Sequence, residues 1–357
     1  MQTDRKLFLT LATLITVLTQ ALTTACDDDS ADPFVPIVTP PVEMGVILNS
    51  TDVSITVFAV DSPSVTRTIG LNPGGAGSPV TAEVRGNLAA VPLGFFPAVA
   101  VVELTTDSVW RIPLPANSGA TGIAFLNDSI AYVGNPNLNS VSIVNVFAGT
   151  AGAQIAVSVY PQALVTSGDR VFVLSAELDS MFQPAREGRI SVIDATSNTV
   201  TATIVLSGFN PASGVIGSDG LLYVINSGSF GQGNGSLSVV DLATLQEVEH
   251  HTGFGEFPRG IAVGSANRVF VSAFAYGIAI WNTATDAFIN SPNDPLVVQG
   301  NTTSSGIGFD SSNRLYTLIP GSCLSPSTAY RLNDDLTNDT DIETGSCPFA
   351  IKFGLLP

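Results

Sequence analysis

Side chains able to donate, accept or share electrons are scarce in this chain. Its two histidines, His250 and His251, are adjacent in what reads as an outer strand. Neighbours on a strand point to opposite faces, so the pair cannot easily share one metal ion, and both are read as surface residues. A Ser-His-Asp triad or a histidine-based metal centre is poorly supported. The glycines of SGSFGQGNG, residues 227–235, lie in a strand connection and not before a helix, which argues against a phosphate cradle. The carboxylates offer one group, Asp335, Asp339, Asp341 and Glu343 within residues 333–344. An oxygen-rich loop can hold Ca²⁺. The EF-hand glycine is missing, however, and a solvated acidic hairpin explains the same residues. The cofactor expectation is therefore none, with Ca²⁺ the one ion these carboxylates could take. Nothing here makes the chain an enzyme on its face.

The first residues describe an address. Arg5 and Lys6 precede an apolar, Thr-rich run that ends at Ala25, the charged and apolar regions of a secretory signal over residues 1–25. Thr23-Thr24-Ala25-Cys26 follows, and a small residue before a Cys resembles the bacterial lipoprotein cleavage site, although its usual Leu stands one position early, at Leu22. Cys26 is thus the expected lipidation site, and the Asp- and Pro-rich residues 26–43 read as an extended tether. An exported, lipid-anchored bacterial envelope protein is implied, without a choice of membrane. Cys323 and Cys347 remain, and an even remainder in an exported chain suggests a disulfide; two free buried thiols are the alternative.

The scaffold shows in a repeat. Short apolar runs rich in Val, Ile and aromatics, closed by Gly, Asn, Asp or Pro, recur as four beats about every ~45 residues, the signature of propeller blades. The clearest units begin at Pro161, Pro211 and Pro258, with second beats RVFV and LLYV and third beats ISVIDAT and LSVVDLAT. Third beats end at Asp61, Asn145, Asp194, Asp241, Asn282 and Asn333, where a short polar side chain can bond the backbone two residues on and hold a turn. The unit from Pro79 is the weakest. The chain start supplies three beats from Met44, and the chain end supplies one, CPFAIKF, residues 347–353. Placing that orphan in the first blade completes an all-β, seven-bladed propeller of four-stranded blades over residues 44–357, with no exposed ring edge.

These motifs resemble the YVTN-type seven-bladed propeller repeat family. The resemblance spans roughly residues 44–353 and implies a surface or envelope binding module, with enzymes among neighbouring propellers. Composition agrees with part of this. The chain carries 13 Lys+Arg against 30 Asp+Glu, a net charge of −17. Nucleic acid is excluded as a partner, since a phosphate backbone needs clustered cations.

In a propeller, the lead-ins to first strands and the connections from second to third strands share one face. That face carries the insertions here, at residues 178–188, 227–235 and 320–327. The residues expected on it are Tyr160, Phe182, Phe209, Asn210, Phe230, Glu256, Phe257 and Arg259. Aromatics with Arg suit recognition of a protein, peptide or glycan, although packing between blades would also explain the aromatics. The rival class is a lactonase-like propeller hydrolase, Ca²⁺-dependent or not. It needs convergent acids or bases at the channel mouth, where Glu256 and Arg259 are the candidates.

Overall fold

The computed structural model describes residues 41–71 and 77–356. The signal-like residues 1–25 and Cys26 with most of the tether lie outside the described residues. Among the described residues, twenty-eight strands pair into seven four-stranded antiparallel sheets, the blades of a β-propeller. From the central channel outward, blade 1 is Pro348–Leu356, Val42–Asn49, Ser54–Ala59 and Thr66–Gly70. Blade 2 is Glu83–Arg85, Leu88–Pro92, Ala98–Glu103 and Ser108–Pro113. Blade 3 is Ile123–Phe125, Ile130–Asn135, Ser140–Asn145 and Thr150–Ala156. Blade 4 is Pro161–Ser167, Arg170–Ser175, Arg189–Asp194 and Thr199–Val205. Blade 5 is Pro211–Ile216, Leu221–Asn226, Ser236–Asp241 and Gln246–Thr252. Blade 6 is Gly260–Gly264, Arg268–Ala273, Gly277–Asn282 and Ala287–Asn290. Blade 7 is Gly306–Phe309, Leu315–Leu318, Pro326–Leu332 and Asn338–Ser346.

The orphan beat does close the ring. Pro348–Leu356 pairs along Val42–Asn49, with Lys352 opposite Val46 and Leu356 opposite Val42. Pairing thus begins two residues before the expected Met44 and runs three residues past Phe353. The disulfide Cys323–Cys347 ties the second connection of blade 7 to the start of this closing strand.

Burial follows strand position. Second strands are covered on both sides by neighbouring blades, so they read as continuous apolar runs such as VFVLS in blade 4. Fourth strands face solvent and alternate, as in Thr199–Val205. The core is seven wedges, one between each pair of adjacent blades. Phe172, Leu174 and Val192 of blade 4 meet Leu222, Val224 and Val240 of blade 5. The closing junction is built no differently, with Ile47, Phe58 and Ile351 of blade 1 against Tyr316, Leu318 and Ile342 of blade 7. Inner strands approach closely enough that a Cβ on Gly306 would stand 2.7 Å from the Phe349 carbonyl oxygen.

Two polar devices repeat. In blades 1, 3 and 5 a fully buried Asn ends the second strand and donates to two hydroxyls of the third: Asn49 to Ser54 and Thr56, Asn135 to Ser140 and Ser142, Asn226 to Ser236 and Ser238. The second device is the third-strand turn. Asn145, Asp194, Asp241 and Asn282 each accept backbone N–H bonds from residues two and three positions on, as the repeat predicts. Asp61 and Asn333 do not. Asp61 lies exposed, 3.9 Å from Arg314, and in blade 7 Asp335 takes the turn role by accepting from the Thr337 N–H.

Candidate functional site

The channel encloses about 390 Å³ and is lined by inner strands of all seven blades. Its lining is mostly Gly, Ala, Val and Ile, with Arg259, Glu83 and Lys352 as the charged residues. Glu83 and Lys352 neutralise each other at 2.9 Å. Arg259 immediately precedes the inner strand of blade 6, and among the described residues its guanidinium makes no hydrogen bond or ion pair. It lies instead 5.7 Å from the ring of Phe349, in blade 1, and 6.0 Å from that of Phe257. Its charge also acts on the phenol of Tyr160, in the lead-in to blade 4. One channel-lining side chain of blade 6 thus lies beside a ring of blade 1 and acts electrostatically on the lead-in to blade 4. Burial pushes its pKa below the ordinary guanidinium value, with Tyr160 opposing; burial raises Tyr160, with Arg259 opposing.

The lead-ins that place these groups share an unusual backbone. Tyr160, Asn210, Phe257 and Cys347 each precede the proline near the start of an inner strand, and each holds a positive φ, between 48° and 59°. Asn tolerates this region, but a Tyr or Phe there is strained. The strained turn swings the chain from an outer strand back to the channel and fixes the aromatic on the rim. It is held by the neighbouring connection. Ala176 and Glu177 donate to the carbonyls of Tyr160 and Val159, and Ser227 and Gly228 do the same to Asn210 and Phe209.

The long connections are ordered by their own polar groups. Glu177, only 2% exposed, accepts from the Val159 N–H and pairs with Arg186 at 3.2 Å and Arg189 at 4.0 Å. Asp179 accepts from the N–H groups of Met181 and Gln183. In blade 5 both carboxylate oxygens of Glu256 are taken, by the N–H groups of Gly231 at 2.7 Å and Gly233 at 2.8 Å. Glu256 therefore positions a loop and is not a free acid at the channel mouth. Asn210 is likewise committed, accepting from Gln162 and donating to the Gly228 carbonyl.

The aromatics form two tiers. Tyr160, Phe209 and Phe257 are half-buried. Phe182 is 63% exposed and meets Tyr160 edge-on at 6.0 Å; Phe230 is 73% exposed and meets Phe257 in the same way at 6.0 Å. Packing and exposure are thus both present, on different residues. The sequence reading missed Phe95, Phe274, Leu324 and Phe349. The first three are exposed on second-to-third connections of blades 2, 6 and 7, and blade position was the signal that could have found them.

Metal-capable residues lie elsewhere than expected. Asp339 is paired by Arg331, Asp341 accepts from Asn338, Asp335 holds its turn, and Glu343 stands exposed on the same strand as Asp339 and Asp341. The structure does not bring these four together as a ligand set. Among the described residues, the group whose ligand atoms lie mutually within 4.8 Å is Glu249, His251 and Asp286, where blades 5 and 6 meet. His251 Nε2 is 3.0 Å from Glu249 and 3.8 Å from Asp286, and its ring lies 4.7 Å from that of Trp281. Glu249 and His251 are two apart and so share a strand face, a pairing overlooked when only the adjacent histidines are weighed. His251 is half-buried and His250 Nε2 is buried without a partner, so neither is a simple surface residue. The set could take a divalent cation.

No family model and no curated protein matches this chain. Solved structures do. A chain of Kuenenia stuttgartiensis hydrazine synthase superposes with a TM-score of 0.61 at 19% identity, covering 76% of this chain and 88% of that one. A chain of a mitotic checkpoint complex superposes with a TM-score of 0.58 at 16% identity, covering 75% and 78%. These likenesses show the propeller fold.

Proposed function

We propose that the chain is an exported, lipid-anchored recognition module of a bacterial envelope, which binds a protein or peptide partner across the loop-bearing face of its propeller. One observation carries this reading. The second-to-third connections of five blades each place a large exposed apolar side chain on the same face: Phe95, Phe182, Phe230, Phe274 and Leu324, with Met181 beside Phe182. Exposed apolar groups of that density on a rigid rim are unfavourable in water unless something covers them. The appearance of a propeller chain within a mitotic checkpoint complex is in keeping with such a use of the fold. The signal-like segment and Ala25-Cys26 support the anchor, and the YVTN-like repeats support the envelope setting.

The hydrolase reading is disfavoured by the channel itself. Its described lining carries one carboxylate, Glu83, and that is paired with Lys352. Glu256 and Glu177 are spent on their own loops.

Selection of displayed random peptides on the full-length chain tests the reading. Peptides should be retained by the wild type and lost by Phe182→Ala/Phe230→Ala, but kept by Phe147→Ala, which alters an exposed aromatic on the opposite face. Recovery of no peptide, or of peptides indifferent to the loop face, would overturn it. Labelling with a radioactive fatty acid should mark the wild type and not Cys26→Ser.

A further inference from the structure

The charge balance at the channel mouth is incomplete. In a chain of net charge −17, Arg259 is the channel-lining cation without a carboxylate. Its surroundings make that costly. Phe257 and Phe349 stand beside the guanidinium and the Tyr160 phenol lies within reach of its field. A half-buried charge against aromatic rings with no counter-ion is less favourable than a paired one, and an acidic protein has many carboxylates with which to cancel it. Among the described residues none of them is placed there, although Glu177, Glu256 and Asp179 all occur on neighbouring loops and each is engaged with backbone or Arg. The five donors of an Arg suit a carboxylate bidentately, and an apolar wall strengthens such a pair by excluding water.

We propose that Arg259 is the anchor of an anion site, which takes a carboxylate carried next to an apolar or aromatic group: the guanidinium binds the two oxygens while Phe257 and Phe349 flank the apolar part. The inference rests on the recognition reading above and names the chemistry at its centre. A partner peptide ending in an aromatic residue and a small aromatic acid both present this group. The rim placement favours the peptide, because the exposed Phe182 and Phe230 stand ready for residues upstream of its carboxyl end.

Isothermal titration of the full-length chain distinguishes these. N-acetyl-phenylalanine should bind at least ten-fold more tightly than N-acetyl-phenylalanine amide, and rising KCl should weaken the free acid alone. Arg259→Gln should abolish the difference between acid and amide, and Arg259→Lys should keep part of it. Arg259→Gln should melt no lower than the wild type, because it removes an uncompensated charge; if that variant fails to fold, the Lys variant and the salt dependence decide. A hexapeptide with a free carboxy-terminal Phe that binds more tightly than N-acetyl-phenylalanine assigns the peptide source, and one that binds no better assigns the small acid. Equal affinity for acid and amide, or a preference that survives in Arg259→Gln, would overturn the site. Loop-face peptides that bind Arg259→Gln as well as wild type would leave the recognition reading intact and remove only the anion site. Arg259-dependent acid binding with no peptide retained would do the reverse.

Discussion

The two faces of the ring are built from the same strands and solve opposite problems. On one face the third-strand turns are short and self-satisfied, with Asn145, Asp194, Asp241 and Asn282 each folding back on the backbone that follows. Large exposed apolar residues in these turns are Phe147 and Val65. On the other face the lead-ins hold Tyr160 and Phe257 at positive φ, the connections are long, and aromatics face solvent. Positive φ at bulky residues occurs on both faces, with Leu245 and Leu336 in third-strand turns, so what separates the faces is the longer connections and the exposed aromatic surface, which is unfavourable in water. A turn that only needs to reverse the chain would look like the first face. The second fits the proposed role in recognition.

That contrast can be broken at graded cost. Deleting residues 347–357 should have the largest effect, because the closing strand is also the inner strand of blade 1 and carries Phe349 to the rim. Cooperative unfolding should be lost in a thermal melt; an unchanged melt would refute the closure. Replacing Cys323 and Cys347 by Ser should cost about 3 kcal/mol, the loop-closure value for a crosslink of this span, read by urea titration. Asn226→Ala should cost roughly 1–3 kcal/mol, since the hydroxyls of Ser236 and Ser238 lose their buried donor. Phe182→Ala/Phe230→Ala should leave the melt within about 0.5 kcal/mol of wild type, as expected for exposed side chains, while peptide binding falls.

The smallest effect belongs to the short-turn face and is a dependence on pH. Glu103 closes the third-strand turn of blade 2, accepting from the Thr105 and Thr106 hydroxyls, and these bonds hold its pKa down at about 2 against the ordinary 4.5. A carboxylate depressed in the folded state stabilises above its unfolded pKa and loses that contribution as pH falls through the folded value. Asp194 and Asp241 are lowered in the same direction, chiefly by backbone N–H bonds. Wild-type stability should therefore decline between pH 4.5 and 2, and Glu103→Gln should flatten the decline in urea melts across that range. Loss of peptide binding without loss of stability over the same range would instead place the sensitive group on the other face.

The fold was legible because each blade repeats a local physical problem. Covered second strands must be apolar throughout, outer strands alternate, and four of the six periodic Asp or Asn residues hold the turns expected of them. The orphan beat announced ring closure by its Pro and small residues. Even blade 2 follows the beats read from Pro79, despite its three-residue inner strand, Glu83–Arg85. The site was legible only as a face. Sequence placed Arg259, Phe182 and Phe230 on it, but could not show that Glu256 is committed to the N–H groups of Gly231 and Gly233, or that Phe349 reaches Arg259 from blade 1. Those facts depend on contacts between blades distant in the chain, which periodicity does not encode. Glu249, His251 and Asp286 were missed for the same reason, since they assemble only where two blades touch.

One titration tests the central claim most directly: a peptide selected on the wild-type chain, measured against wild type, Phe182→Ala/Phe230→Ala and Val65→Ala/Phe147→Ala. Division of labour between the faces requires affinity to fall at least ten-fold in the first double variant and to stay within two-fold of wild type in the second. Equal losses from both faces, or no loss from the loop-bearing one, would contradict it.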